Sequence, residues 1–291
     1  MLSERPGPVL VTGANSGIGL AATLRFAARG WDTWGTVRSA QKAAQVRDAV
    51  RVAGIDADLV HPVVLDVSDH AAVVERWPSL PAFYAVVNNA GYSELGAVEE
   101  VPAEQARRQL DVNLVAPAVV AACALPAMRD RGAGRIVMVS SIAGRAALLP
   151  LNGWYHASKF GLEALSDVLR MEVAAFGVKV IVVEPGFFRT EIEPRAAQQA
   201  TERLEAGAEA GGGDSPYRSA YRRLRSTAGL VSSLAPPPEI VGRSIVKAVE
   251  ARRPLRRYLV GIDAMTLAAT APLLPRPVTD AIARFAADLK K

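Results

Sequence analysis

The chain has 291 residues, half of them hydrophobic, and a net charge of +5; with a mean hydropathy of +0.16 it has ample apolar residues for a sizeable core. A single cysteine, Cys123, excludes an internal disulfide and a cysteine-based metal cluster, and His61, His70 and His156 lack metal-ligand spacing. Arginines at 218, 222, 223 and 225 and at 252, 253, 256 and 257 gather positive charge toward the C-terminal third; with no nucleic-acid-binding motif beside them, they read as solvated helix faces and a complement to a small anionic ligand rather than a nucleic-acid or membrane surface.

In chain order, strand-like apolar runs alternate with helical patterns. Pro8 to Thr12 predicts a first strand, Ile18 to Arg29 a helix stopped by Gly30, and Trp31 to Val37 a second strand. Asp58 to Leu65 and Phe83 to Val87 predict the third and fourth strands, and Pro102 to Arg131 one or two helices. A fifth strand runs from Gly134 to Ser140, a helix from Tyr155 to Phe176, and a sixth strand from Val178 to Val183. Nearly continuous apolar strands between helices predict an α/β fold, a doubly wound parallel sheet covered on both faces, with ligands outside the carboxyl ends of the strands. Beyond residue 190 the rhythm changes. Ala206 to Ser215 is rich in Gly, Ala and acidic residues and reads as a mobile lid; Glu239 to Ala251 predicts a helix and Arg257 to Gly261 a last strand. The apolar stretch Leu259 to Pro275 contains Asp263 and Pro272 and falls short of the roughly 20 residues that span a bilayer, so it reads as a buried or lid segment. Strand and glycine loop begin by residue 8, so no signal peptide is expected, and a cytoplasmic setting follows.

Three patterns carry chemistry. Thr12 to Gly19 reads G-x-x-x-G-x-G, with Gly13, Asn15, Ser16, Gly17, Ile18 and Gly19 between the first strand and the first helix. Glycines let the backbone approach a pyrophosphate, and the free N–H groups of the helix N-terminus favour its charge. Tyr155 and Lys159 stand four apart, one turn apart on one helix face; an ammonium beside a phenol lowers the phenol's pKa from about 10 toward the range of a general acid–base. At the carboxyl end of the second strand, where a carboxylate would bind the ribose 2′-hydroxyl of NAD, stand Val37 and Arg38, while Asp32 lies at the other end. An arginine there suits a 2′-phosphate, which predicts NADP(H) rather than NAD(H).

Thr12 to Gly19, Asn88-Asn89-Ala90-Gly91, Asn113, Ser141, Tyr155 with Lys159, and Pro185-Gly186 occur in the order and spacing of the short-chain dehydrogenases/reductases, which the chain resembles over about residues 8–192. The tail resembles the hydroxysteroid- and retinol-dehydrogenase-like branch. The resemblance implies that Tyr155 is the acid–base, that Lys159 bonds the nicotinamide ribose and supports the tyrosine, that Ser141 polarises the reacting oxygen, and that Asn113 holds a water linking Lys159 to solvent. It also implies that Asp66 and Val67 contact the adenine, that Asn89, Ala90 and Gly91 pass the adenosine ribose, and that Pro185, Gly186, Phe188 and Thr190 lie against the nicotinamide end. Ser141 and Tyr155 are fourteen positions apart, one more than the resemblance implies, which places an extra residue in the loop Arg145 to Gly153.

Phe187, Phe188, Leu148, Leu149, Leu151 and Trp154 flank the expected site and favour an apolar carbonyl or secondary alcohol, steroid- or retinoid-like or another lipophilic ketone. His156 is expected on another helix face, in a structural role. The whole is read as a single domain, 1–291, with the core at 8–192 and a substrate lid and C-terminal extension at 193–291. It is expected to work as an NADP(H)-dependent oxidoreductase, without a metal, as a homodimer or homotetramer through the helices in 102–131 and 155–176. Two alternatives stand beside it: a 3-oxoacyl thioester reductase, and a regulator that senses NADP(H) without turnover.

Overall fold

The computed structural model describes residues 7–190, 192–209 and 215–289. Seven strands form one parallel sheet in the order β3-β2-β1-β4-β5-β6-β7. β1 (Val9–Thr12), β4 (Ala85–Asn88) and β5 (Gly134–Val139) are buried at every position, which explains why they read as nearly continuous apolar runs. β2 (Thr33–Val37) and β3 (Val60–Val64) extend the sheet on one side, and β6 (Val178–Pro185) and β7 (Arg257–Val260) on the other. The order reverses at β1, which pairs with both β2 and β4, so a crevice opens above the carboxyl ends of these strands.

Helices cover both faces. On one, α1 (Gly17–Ala27) and α9 (Glu239–Glu250) bury Ala22, Phe26, Val241, Ile245 and Val249 against Val9, Val11, Val137 and Val183. On the other, α3 (His70–Arg76), α5 (Ala116–Arg131) and α6 (Gly153–Glu172) bury Val73, Val120, Ala124, Met128 and Leu162 against Leu10, Val86, Ile136 and Met138. α2 (Ala40–Val52) closes the β2–β3 edge with Ala43, Val46 and Val50. α4 (Ala103–Leu110) runs into α5 through a π turn at Asp111–Val115. After β6 come α7 (Ile192–Glu209) and α8 (Arg218–Leu234), which pack Ala200, Ala220 and Tyr221 on Leu95, Ala97 and Leu151. α10 (Ile262–Thr270) and α11 (Arg276–Ala286) follow β7.

Several expected boundaries move for identifiable reasons. Trp31 stays out of β2: its ring is buried, stacks on Tyr84 at 6.1 Å, and donates Nε1–H to Glu250. β3 is shorter than expected because Ala57–Leu59 form a 3₁₀ turn capped by Asp56. Pro62 is tolerated there because β3 is an edge strand with β2 as its sole neighbour, so no ladder bond needs its missing N–H. α6 starts two residues before Tyr155 and gives way after Glu172 to a 3₁₀ turn closed by Gly177, whose φ of +74° suits glycine. The stretch 259–275 is not a buried segment: past β7 it is α10 and a 3₁₀ turn at Ala271–Leu273, and Ile262, Met265, Leu273 and Leu274 are exposed. The expected lid 206–215 starts as the end of α7 and passes through 210–214, outside the described residues. Among the described residues one helical run, Ala103–Arg131, is long and apolar enough to cross a membrane by length and composition; its α5 part packs Val120, Ala124 and Met128 against the sheet, as a core helix does.

Candidate active site

A cleft of about 1040 Å³ lies at the carboxyl ends of the strands and takes in nearly all the residues singled out from the sequence. Its floor is the turn between β1 and α1. Gly13 and Gly17 have φ of +68° and +50°, a region that favours glycine. A Cβ on Gly19 would sit 2.1 Å from the Gly13 carbonyl oxygen and 2.5 Å from Asn89 Nδ2, so Gly19 works from behind the wall by letting α1 approach the turn. Ser16 makes no side-chain cap bond to α1, which leaves first-turn N–H groups available to an anion. Thr12 Oγ1 accepts from the Asn89 and Ala90 N–H groups at 3.0 and 2.9 Å, and Asn89 Nδ2 donates to the Thr12 oxygen at 2.9 Å. These bonds lock the glycine turn to the end of β4.

At one end of the cleft stand Thr36, within β2, and Arg38 and Lys42, which follow it. Asp32, at the other end of that strand, is paired with His61 Nε2 at 2.9 Å. Asp66 Oδ1 accepts from the Ser68 N–H and Oγ–H at 3.0 and 2.8 Å, an Asx turn that presents Asp66 and Val67 to the cleft; the N-cap of α3 is Asp69 instead. The geometry fits a dinucleotide: a glycine floor a Cβ would block, open helix N–H groups, and a cationic end beyond β2.

At the other end β5 delivers Ser141, and the first turns of α6 deliver Tyr155 and Lys159. Ser141 Oγ accepts from the Ala143 N–H at 3.1 Å. Lys159 is 5 % exposed, donates Nζ–H to the Val139 oxygen at 2.9 Å, and lies 5.8 Å from the centre of the Tyr155 ring. Burial pulls its ammonium down to about 8, against an upward pull from Glu163 one turn further along α6. Asn113 sits in the π turn, fully buried behind the wall. Its Nδ2 donates to the Tyr92 oxygen at 2.8 Å and to Ser158 Oγ at 3.1 Å, and its Oδ1 accepts from the Tyr92 N–H at 3.0 Å. Both amide protons are therefore committed to protein partners that join the loop after β4 to α6. Such π turns recur at functional sites because they widen the helix locally.

The walls differ from the expectation in part. Leu148, Leu149, Phe187 and Phe188 line the cleft, with Pro185, Gly186 and Thr190 beside them. Leu151 does not: with φ of +65° it turns into the cluster of Leu95, Ala97 and Tyr221. Trp154 also stays off the cleft wall. His156 does line the cleft, contrary to expectation. Its Nδ1 bonds the Ala143 oxygen at 2.7 Å and its Nε2 accepts from the Leu149 N–H at 3.3 Å, which fixes the neutral tautomer and ties both ends of the apolar loop to α6. Burial holds this imidazole below its usual pKa. The side facing α7 is polar, with Glu94, Arg195, Gln199 and Glu202, so the cleft is not apolar throughout. Arg195 lies over the Tyr92 ring at 4.9 Å.

Two supports lacked any local signal. Asp263, at the start of α10, accepts from the Phe187 N–H at 2.6 Å, and a Cβ on Gly186 would fall 2.1 Å from its carboxylate. Glu184, fully buried at the end of β6, meets Arg145 at 3.3 Å and Arg257 at 2.9 Å; Arg257 also holds Glu163 and Asp167 on α6, each at 2.9 Å. Burial and the nearby Glu163 push the Glu184 carboxyl up, and the two arginines oppose them. Among the described residues no group of three His, Cys, Asp or Glu side chains could hold a metal.

Comparison with known proteins places this architecture. The short chain dehydrogenase family model matches residues 8–201. The chain is 29 % identical to the NADPH-dependent 3-dehydrocapnine reductase of Ornithobacterium rhinotracheale, over 97 % of each chain. It is 32 % identical to retinol dehydrogenase 5 of Homo sapiens, over 94 % of this chain and 86 % of that one. A short-chain dehydrogenase from Streptomyces avermitilis superposes with a TM-score of 0.75 at 27 % identity, covering 99 % of this chain and 100 % of the other. With the family model spanning the whole of the β1–β6 core and α6, this chain belongs to the short-chain dehydrogenase family of oxidoreductases.

Proposed function

We propose that the protein is an NADP(H)-dependent oxidoreductase that interconverts a carbonyl and a secondary alcohol on a substrate with a large apolar part. The observation that carries this reading is the convergence, in one cleft, of the glycine turn, Arg38 in place of a ribose-binding carboxylate, and Ser141, Tyr155 and Lys159. Gly13 to Ile18 would hold the pyrophosphate, and Arg38 with Thr36 and Lys42 the 2′-phosphate. Asp66 and Val67 would meet the adenine, and Asn89 to Gly91 its ribose. Tyr155, Lys159, Pro185, Gly186, Phe188 and Thr190 would frame the nicotinamide end. The name of the 29 % identical NADPH-dependent relative supports the choice of NADP(H).

When bound, the cofactor supplies or accepts the hydride. The chain's own residues do the rest. Ser141 Oγ–H donates to the reacting oxygen and polarises it. Tyr155 gives its proton to that oxygen in reduction and takes it back in oxidation. Lys159, held by the Val139 oxygen beside the Tyr155 ring, favours the phenolate by its charge. Asn113 sets the position of Ser158 and Tyr92, and through Ser158 Oγ, which donates to the Tyr155 carbonyl oxygen at 2.7 Å, the first turn of α6. Residues 8–192 would carry the cofactor and the later helices would close the substrate side, as one unit.

Leu148, Leu149, Phe187 and Leu267 support an apolar substrate, and Glu94, Arg195 and Gln199 across the cleft suit a polar end on it. Exposed Phe160, Val168 and Met171 on α6 support assembly as a homodimer or homotetramer through that helix. A panel of ketones and secondary alcohols, followed by NADPH absorbance, tests the reading. Turnover of lipophilic ketones with a clear preference for NADPH over NADH is expected; a preference for NADH, or turnover confined to sugars, contradicts it.

A further inference from the structure

α11 is amphipathic in the wrong sense for a helix covering a soluble core. The positions turned toward the protein are Thr279, Ala283 and the C-cap Ala287, spaced four apart, with Thr279 6 % exposed. The large apolar residues, Val278, Ile282 and Phe285, share another face and are 43 %, 56 % and 84 % exposed. A surface helix ordinarily buries its large apolar stripe and presents polar residues to water. α10 repeats the pattern: Ala264, Leu267 and Ala268 face inward, while Ile262 and Met265 stand 84 % and 58 % exposed. Leu273 and Leu274, between the two helices, are 81 % and 41 % exposed.

Charge is concentrated in the same stretch of the sequence. Residues 252–291 hold eight basic and three acidic side chains, which accounts for the entire net charge of +5, because the rest of the chain is balanced. Arg276 and Arg284 on α11, and Arg252, Arg253 and Arg256 ahead of β7, are exposed. A basic, apolar-faced pair of short helices has one complement that satisfies both properties, a lipid surface bearing negative headgroups. A second copy of the chain would bring the same positive charge against itself. The helices are too short to span a bilayer, at nine and eleven residues, and Pro272, Pro275 and Pro277 interrupt the run.

We propose that α10, the 271–275 turn and α11 form a docking surface for an anionic membrane, lying in its interface with Ile262, Met265, Leu273, Val278, Ile282 and Phe285 toward the acyl chains and Arg276 and Arg284 toward the headgroups. Leu267, on the inner side of α10, lines the reaction cleft, so the docked helix is also a wall of that cleft. The docking stands whatever the substrate proves to be.

Co-sedimentation of the full chain with vesicles of phosphatidylcholine alone, and of phosphatidylcholine mixed with phosphatidylglycerol, tests this. The expected result is pelleting with the mixed vesicles, little with the neutral ones, and release as salt is raised. The double substitution Ile282→Glu and Phe285→Glu is expected to weaken binding at least tenfold with an unchanged Tm, since both side chains are exposed. Arg276→Glu with Arg284→Glu is expected to remove the preference for the mixed vesicles. Failure of the wild-type chain to pellet with the mixed vesicles overturns the proposal, as does equal pelleting by the apolar double variant. A fall in particle mass on that double substitution, measured by light scattering in the absence of vesicle binding, would show that a second copy covers this face, and overturns it too.

Discussion

At the scale of single residues the site holds one charge, that of Lys159, where solvent scarcely reaches it. Lys159 has a folded pKa of about 8 against 10.5 for the free side chain. Between those values the unfolded chain binds more protons than the folded one, so stability rises with pH across that window. Below it the buried ammonium costs the fold about 3 kcal/mol, and above about 10.5 the cost is gone. Lys159→Met should therefore be more stable than the parent near pH 7, and the difference should shrink as pH approaches 10; urea unfolding of both proteins at the two pH values reads it. A gap that does not change with pH would assign the effect to packing. On the proposed reading, Arg38 would act through one ligand group, the 2′-phosphate of NADP(H). Its replacement by Ala should raise the KM for NADPH by about ten- to a hundredfold, the worth of a charge-assisted hydrogen bond, and leave the KM for NADH within about twofold. Equal losses for both cofactors would mean that Arg38 holds structure and not a phosphate. The place of Arg38 at the edge of the cleft was legible in the sequence because the strand that precedes it, ending at Val37, fixes where the chain leaves the sheet. His156 and Asp263 were not, since their partners are backbone groups of Ala143, Leu149 and Phe187 that only the folded loops bring within reach.

At the scale of elements, the strands β1, β4, β5 and β6 were legible because burial on both faces keeps most positions apolar and confines the polar ones to single sites such as Arg135 and Lys179. The glycine motif was legible because its spacing is dictated by contact: Gly19 has room for no side chain against Gly13. Gly19→Ala should accordingly displace the turn, abolish measurable NADPH binding and lower Tm, whereas Gly54→Ala, a glycine at φ of +64° with open space around it, should lower Tm modestly and leave binding intact. Comparable NADPH affinity in the two variants would contradict the role given to the turn. Less was legible where structure follows from tertiary contact. The π turn at Asp111–Val115 exists to seat Asn113 against Tyr92 and Ser158, and Leu151 leaves the cleft because a cluster with Leu95 and Tyr221 receives it. α7 and α8 pack mainly on each other and on the loops at 95–97 and 151, a contact that periodicity alone does not announce.

At the scale of the molecule, one sheet with its order reversed at β1 brings together parts of the chain as distant as Gly13, Arg38, Asn89, Ser141, Tyr155 and Gly186. The buried Glu184 with Arg145 and Arg257 ties β6, β7, α6 and the apolar loop into one frame around that cleft. From the sequence alone the C-terminal charge reads as solvated helix faces; beside the exposed apolar face of α11, Arg276 and Arg284 fit the proposed docking surface instead. The central claim, that the cleft is a proton-transfer site served by a bound NADP(H), rests on Tyr155. Its most direct test is Tyr155→Phe, assayed for NADPH-linked ketone reduction and, in parallel, for NADPH affinity by fluorescence. Turnover should fall at least about a hundredfold, the usual worth of a general acid–base, with the NADPH Kd within about threefold of the parent. Turnover near that of the parent, with NADPH still bound, would contradict the claim.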